Sequence, residues 1–496
     1  MDFIPRVSKL VILLFFVAAF SSSSGSRLRA AEAGDSAARI SRDRLFNVVQ
    51  GYETNSAATG VTGAAISGGG QLGFPNRVVG SMGSIGGGNG NLAGELAAVG
   101  GGSINRATGF RATIGGGAQN IADRDTATIG GGYSNTANAS YTTVSGGTFN
   151  SASEINATVG GGAGNSALER HATVSGGTAN QASGYAGTIG GGVYNKALAS
   201  YTTIGGGIAN SASGMEASVN GGAGNKASGE CASISGGMNN HASDQYCTVG
   251  GGRANQAGSL NQDPVDASYA TVGGGDRNVA TGPFAVIPGG SSNTAAAAYS
   301  FAAGHRATIP KEHTGAFLYA DSKDSDFHSA APNEFAVRAT GGIRFVTAVD
   351  ATGTPISSVR ISPGGGTWES FCDRNAKTLR SSVDGQKIAE GIARLPIAIW
   401  SYKTDDEHVK HIGPTAQDFY EIFALGTDDK HISTVDGDGI ALAAIQFLYK
   451  RLQDNEIQME KQQHHILRLE SEVISLRDRL RGIENPTEAP FPGSKH

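Results

Sequence analysis

The residues with the most chemistry in this chain gather near its end: Cys372, Asp373 and Lys377, then His411, Gln417 and Asp418. A side-chain nucleophile can attack the carbonyl of the residue before it, turning that peptide bond into an ester or thioester that water then cleaves. A thiolate is competent for this step, and a neighbouring cation lowers the pKa of its thiol. A lysine serves as the base once burial depresses its own pKa. Cys372 and Lys377 are the residues of the right types at short spacing. The alternative for Cys372 is a small buried hydrophobe with no chemistry at all.

Four blocks follow one another here. Cys372-Asp373 precedes Lys377 by three intervening residues, and Trp400-Ser401-Tyr402-Lys403 comes next. A third block runs from His411 through Gly413 and Gln417 to Phe419, and a fourth from Asp436 to Ile445. The series resembles the C-terminal intramolecular chaperone and auto-processing domain of phage endosialidase tailspikes. That family has serine at the nucleophile position, where this chain has Cys372. The resemblance implies Cys372 as nucleophile, Lys377 as base and Phe371–Cys372 as the bond cut. It implies that Asp373, His411, Gly413 and Gln417 support the site or trimeric packing. Two outcomes stay open: a thiol variant that cuts itself, and a retained chaperone that does not.

The body that carries this chemistry is unlike it. The chain has 496 residues, 75 of them Gly, with 16% charged residues and a net charge of −5. No basic footprint points to nucleic acid. Most glycines fall between residues 60 and 305, within a fifteen-residue repeat, A-T-(I/V)-(G/S)-G-G-x-x-N-x-A-x-x-x-x. Ile or Val recurs from Val99 to Val249, Asn from Asn105 to Asn255 and Ala from Ala107 to Ala257, in one register. Val272/Asn278 and Ile287/Asn293 continue it after an insertion around Gly258 to Asp266. The turns near Ile66 and Ile85 are degenerate, as at the capped start of a solenoid.

That period is too short for a helix pair and suits a narrow coil of short strands and tight turns. Each coil is expected to point its β-branched residue inward, to use Gly for positive φ or close backbone approach, and to place Asn in the left-handed region. One Ile or Val with a few Ala makes a thin core, so three chains are expected to share one axis. The stretch resembles the left-handed β-roll heads of trimeric autotransporter adhesins.

Other readings of the glycine runs fail on spacing. A phosphate loop needs Gly-Lys-Ser/Thr at its end, and calcium-binding nonapeptides need a periodic Asp. A disordered linker would not hold Ile, Asn and Ala in phase. No cofactor or metal is implied; His305, His313 and His328 lack ligand spacing and read as solvated loop residues. Tyr141, Tyr201, Tyr246, Tyr269 and Phe284 share a phase three residues before the Ile/Val. Filling between turns or chains is preferred to a ligand-binding stripe, because no polar constellation accompanies it. Cys231 shares that phase and Cys247 lies one place further, so the two face opposite sides and stay unpaired. With three cysteines in all, at least one thiol is free.

The ends carry further signals. Arg6 and Lys9 precede an apolar run from Leu10 to Phe20 and the Ala31-Glu32-Ala33 stretch, a secretory signal pattern. The run is too short to span a bilayer, which takes about 20 residues, and no integral membrane segment is expected elsewhere. Residues 306–366 lose the period but stay strand-like, with a hairpin expected at Gly341-Gly342. From Ile445 through Leu448, Leu452, Asn455, Met459, Gln462, Ile466, Leu469, Val473, Leu476 and Leu480 to Ile483, an a/d seam runs unbroken, with Pro486 ending it. That is a coiled coil whose polar Asn455 and Gln462 set register and oligomer state.

The expected fold is mainly β: a trimeric left-handed parallel β-roll body, a β-rich neck, a small α+β chaperone domain and a C-terminal coiled coil. The expected divisions are a signal peptide at 1–33, a linker at 34–60, the β-roll at 61–305 and the neck at 306–366. The chaperone domain follows at 367–444, the coiled coil at 445–483 and a disordered tail at 484–496. The expected function is a secreted homotrimeric fibre, extracellular or on a cell surface, whose partners are its own copies and a cell-surface or glycan ligand. Any enzymatic activity would be a single self-cleavage. A glycan-active spike is the alternative, since the resembled chaperone also follows endosialidase catalytic domains. Glycoside hydrolysis uses two carboxylates across a cleft, and Glu154, Glu169, Glu216 and Glu230 do not gather together on one repeat phase.

Overall fold

The computed structural model describes residues 41–42, 46–261 and 263–484. The expected signal peptide and C-terminal tail, and Pro486, lie outside the described residues. The described chain is mainly β, with a β-solenoid of about 19 turns, small antiparallel sheets near the C-terminus and three α-helices. It divides into two compact units between Ala339 and Thr340.

One coil explains the solenoid. Thr113–Ile114 pairs in parallel with Ala98–Val99 before it and Thr128–Ile129 after it, and Ile121–Ala122 pairs with Arg106–Ala107 and Thr136–Ala137. Alternation along each strand turns Ala112, Ile114, Asn120 and Ala122 inward, and all four are fully buried. The repeat is thus read correctly as inward Ile/Val and Ala. Glycine serves both expected purposes. Gly117 has φ +82°, and a Cβ on it would stand 2.0 Å from the Gly132 carbonyl oxygen.

The asparagine is not the left-handed residue expected of it. Positive φ falls on the residue before it, as at Ile104 (57°), Gln119 (59°) and Phe149 (57°), and on the aromatic phase, as at Tyr141 (61°). Asn120 instead turns into the core and spends its amide on three coils. Its backbone N–H donates to Asn105 Oδ1 at 3.1 Å, and its Nδ2 donates to Gly116 O (3.0 Å) and Gly132 O (2.9 Å). Its Oδ1 accepts from Asn135 N–H at 3.0 Å. This ladder runs from Asn55 through Asn293 and ends on the Ala307 N–H. A buried amide must have its partners, and here each coil supplies those of the next.

Nor does the thin core need three chains to close, contrary to the expectation from its composition. Ile114, Ile129, Ile189, Ile204 and Ile234 are 0% exposed within one chain. Each coil encloses its own column of Ile/Val, Ala and Asn, so a thin core closes without help.

The solenoid extends beyond its expected limits. Val48–Val49 already pairs with Ala65–Ile66. At the other end Phe301–His305, Phe317–Ala320 and Phe335–Arg338 continue one sheet. The first half of the expected neck is therefore solenoid with larger coils, in which His305 meets Asp324 (3.2 Å) and His313 meets Ser329 (2.7 Å). The insertion after Gly258 folds over the buried Asp244, whose Oδ2 accepts from Ser259 and Ala267 N–H, both at 3.1 Å.

The later part of the aromatic phase forms a stacked ladder, whereas Tyr201 meets Tyr185 edge-on at 5.4 Å. Tyr246–Tyr269, Tyr269–Phe284 and Phe284–Tyr299 have centroids 4.8, 4.9 and 5.1 Å apart and nearly parallel planes. In that run the ring faces are turned to one another and so fill the space between successive turns. Cys231 and Cys247 are both free, the first partly exposed and the second buried. Glu154 and Glu169 do share a phase, each carbonyl accepting from the alanine N–H three residues on, but Glu216 and Glu230 sit elsewhere in the turn.

In the second unit, β1 (Ile343–Val349) and β2 (Pro355–Ile361) form an antiparallel hairpin. It turns at Asp350, whose Oδ1 accepts from the Thr352 and Thr354 N–H groups. The hairpin expected at Gly341-Gly342 is thus displaced, because the run before those glycines belongs to the solenoid. A third strand, β3 (Glu369–Ser370), joins β2. Then come α1 (Gly385–Arg394), β4 (Ala398–Trp400), β5 (His411–Gly413), α2 (Ala416–Phe423) and α3 (Thr434–Glu484).

The core of this unit is small: Gly391, Phe419, Ile440 and Ala444 are its buried residues. Glycine lets α1 approach its neighbours, since a Cβ on Gly385 would lie 2.8 Å from Phe447 Cβ and one on Gly391 2.6 Å from Phe423 Cε1. The helix α3 starts before Ile445, so the chaperone's last block and the heptad seam are one continuous element. Beyond residue 444 the seam is open: Leu452 is 56%, Ile466 47% and Leu476 56% exposed. Among the described residues no helix is long and apolar enough to cross a membrane.

Candidate active site

The site starts from a strand that runs into a tight turn. β3 lies along β2, and the Phe371 N–H extends the pairing by donating to Ser358 O at 2.8 Å. Directly after Cys372 the chain turns into a 3-10 helix, Arg374–Ala376. Asp373 caps that turn, its Oδ1 accepting from the Asn375 N–H at 2.8 Å. Lys377 closes it, its N–H donating to Arg374 O at 3.2 Å. One turn of 3-10 helix holds three residues and rises about 6 Å, so the long Lys377 side chain can return to the residue before the cap. Its Nζ lies 2.7 Å from Cys372 Sγ. The spacing of Cys372, Asp373 and Lys377 thus has a structural cause, in which Asp373 is the capping residue.

Phe371 and Cys372 line a cavity of about 510 Å³ with Arg344, Thr354, Pro355, Ser358, Arg360, Glu369 and Ser370. Both Cys372 and Lys377 are exposed in the single chain. The small buried hydrophobe offered as the alternative for Cys372 therefore does not describe it. The burial that a basic lysine calls for is also not provided by one chain.

His411, Gly413 and Gln417 form a second cluster. β4 and β5 pair antiparallel, with Trp400 opposite His411 and Ala398 opposite Gly413. The Trp400 and His411 rings are 4.8 Å apart, Tyr402 lies 5.7 Å from His411, and His411 Nε2 is 3.4 Å from Asp405 Oδ2. Thr415 caps α2, accepting from the Asp418 N–H at 3.3 Å and donating to Asp418 Oδ2 at 2.6 Å. Gln417, the second residue of α2, lines a cavity of about 370 Å³ with Trp400, Tyr402, Pro414 and Lys430. Neither Cys372 nor Lys377 lines that cavity. The structure therefore brings Cys372, Asp373 and Lys377 together, and gathers His411, Gly413 and Gln417 around Trp400.

Sequence reasoning missed Arg344, Arg360 and Glu369. They precede every recognisable block, and only the pairing of β1, β2 and β3 puts them beside Phe371. Among the described residues no group of His, Cys, Asp and Glu could hold a metal ion. No curated protein matches the chain. Residues 372–425, beginning at the thiol and ending just past α2, match the family model described as chaperone of endosialidase.

Proposed function

We propose that this chain is a secreted homotrimeric fibre whose solenoid body engages a cell-surface or glycan ligand, and whose C-terminal unit aligns three copies and then cuts itself off at Phe371–Cys372. The observation that carries the assembly is the open seam of α3, with Leu452, Ile466 and Leu476 each about half exposed directly after a chaperone-family domain. A heptad stripe of this length is buried by other helices of the same kind. A coil that joins three chains early raises their effective concentration, and its removal leaves the body kinetically trapped.

The cut itself is supported by Lys377 Nζ lying 2.7 Å from Cys372 Sγ. Lys377 takes the thiol proton, and the thiolate attacks the Phe371 carbonyl carbon to form a tetrahedral intermediate. Its collapse breaks the C–N bond, the Cys372 nitrogen takes the proton back from Lys377, and a thioester joins Phe371 to Cys372 Sγ. Water then attacks the thioester, leaving a carboxylate on Phe371 and restoring the thiol. Packing of neighbouring chains supplies the desolvation that lysine needs to act as a base. Intact mass together with native mass of the full secreted chain tests the reading. The expected result is a trimer and a released tail beginning at Cys372; a stable, full-length monomer would overturn both parts.

A further inference from the structure

The bond assigned for cleavage is held from both ends. On its C-terminal side, the turn capped by Asp373 returns Lys377 to the thiol. On its N-terminal side, β3 lies against β2 with Glu369 opposite Arg360 and Ser370 opposite Val359. A strand of two residues has few ladder bonds to fix its register. A slip of one residue would turn its side chains over and carry the Phe371 carbonyl about 3.3 Å along the sheet.

Charge completes what the short ladder leaves undone. Arg344 on β1 stands opposite Arg360 on β2, and like charges facing each other across a sheet are unfavourable. Glu369 answers Arg360 from β3. Its Oε2 accepts from Arg360 Nε at 2.7 Å. The Ser362 hydroxyl, with Arg360, holds the Glu369 carboxyl below the usual carboxylate range. A one-residue slip would turn the carboxylate to the other face of the sheet and take it away from Arg360. Arg344, Arg360, Glu369, Phe371 and Cys372 all line the one cavity.

We infer that Arg360 and Glu369 form a positioning clamp for self-cleavage, fixing the register of β3 and with it the place of the Phe371 carbonyl before the Cys372 thiol. This rests on the self-cleavage reading above. The two side chains are 62% and 44% exposed, and an exposed ion pair adds little to folding stability. Its effect falls on the geometry of one bond. After the cut, the same clamp keeps the new C-terminus paired to the sheet.

The test uses the full chain carrying Glu369→Gln, Glu369→Arg, Arg360→Glu, or Arg360→Glu with Glu369→Arg. Tail release is followed by intact mass, with and without hydroxylamine. Misplacing reacting atoms by about 1 Å costs on the order of a hundredfold. The single reversals should therefore slow release at least tenfold, Glu369→Gln should fall between them and the natural chain, and the swapped pair should recover most of the rate. Slippage impairs thioester formation, so hydroxylamine should speed release from the natural chain but not from the single reversals. A merely structural role would lower the thermal midpoint and leave that hydroxylamine response in place. Release at the natural rate from both single reversals would overturn the clamp alone. No release from either the natural chain or Cys372→Ser would overturn the cleavage reading, and the clamp with it.

Discussion

Replacing Asn180 by alanine should open the solenoid locally, and by more than a comparable loss from its apolar column. Asn180 is fully buried; its Nδ2 donates to Gly176 O (2.9 Å) and Gly192 O (2.8 Å), and its Oδ1 accepts from Asn195 N–H (2.9 Å). Alanine leaves the Asn195 N–H and the Gly176 carbonyl without this partner, while the Gly192 carbonyl keeps the Thr178 N–H at 2.9 Å. Each buried polar group so stripped costs about 1–3 kcal/mol. The Gly176 carbonyl is part-buried and belongs at the low end, so the sum is about 2–4 kcal/mol. By contrast, Ile189→Val in the same column should cost about 0.5–1.5 kcal/mol. Coils interact with their neighbours, so the damage should stay local. The assay is amide exchange over residues 176–195, with Gln181→Ala on the outward face as control. At about 1.4 kcal/mol per decade, protection should fall roughly thirtyfold to several hundredfold. Protection in the same decade as the control would refute the idea that the amide column holds the coils in register.

Joint replacement of Leu452, Ile466 and Leu476 by Ser should abolish trimer yield on native mass measurement, since these half-exposed seam residues have no partner in one chain; an unchanged yield would remove the aligning role from α3. Cys372→Ser should still release the tail while Cys372→Ala and Lys377→Ala should retain it, as read by intact mass; release from the alanine variants would show that another group cuts. Burial pushes the Cys247 thiol up to about 11, so iodoacetamide at pH 8 should modify Cys372 and spare Cys247. The folded chain holds that proton more tightly than the unfolded chain does. The stability Cys247 confers should therefore be lost as pH rises from about 9 to about 11. Cys247→Ala should flatten that slope in a pH series of urea midpoints, and an unchanged slope would exclude the thiol as its source.

Much of the fold is legible because a parallel coil repeats its contacts. When Ile114 pairs with Ile129 and Ala122 with Ala137, each position meets its own copy fifteen residues on, and the period exposes the inward face directly. The heptad seam of α3 is legible for the same reason. What the period cannot say is which backbone conformation each repeated residue takes. Asn120 recurs and the residue before it varies from coil to coil, yet the asparagine turns inward to satisfy a column of amides and its variable neighbour, here Gln119, takes the left-handed turn.

The candidate site divides along similar lines. Cys372, Asp373 and Lys377 are near in sequence, and a capped 3-10 turn is a local structure, so their spacing alone was enough to join them. Arg344, Arg360 and Glu369 meet only because three strands pair across two turns, and nothing in their types or spacing marks them. Exposure was the other tertiary decision. A single coil closes over its own Ile, Ala and Asn because each turn is covered by the next, which removes the reason first given for sharing a core. Past Phe447, α3 has no such neighbour in the single chain, and there the apolar stripe stays open.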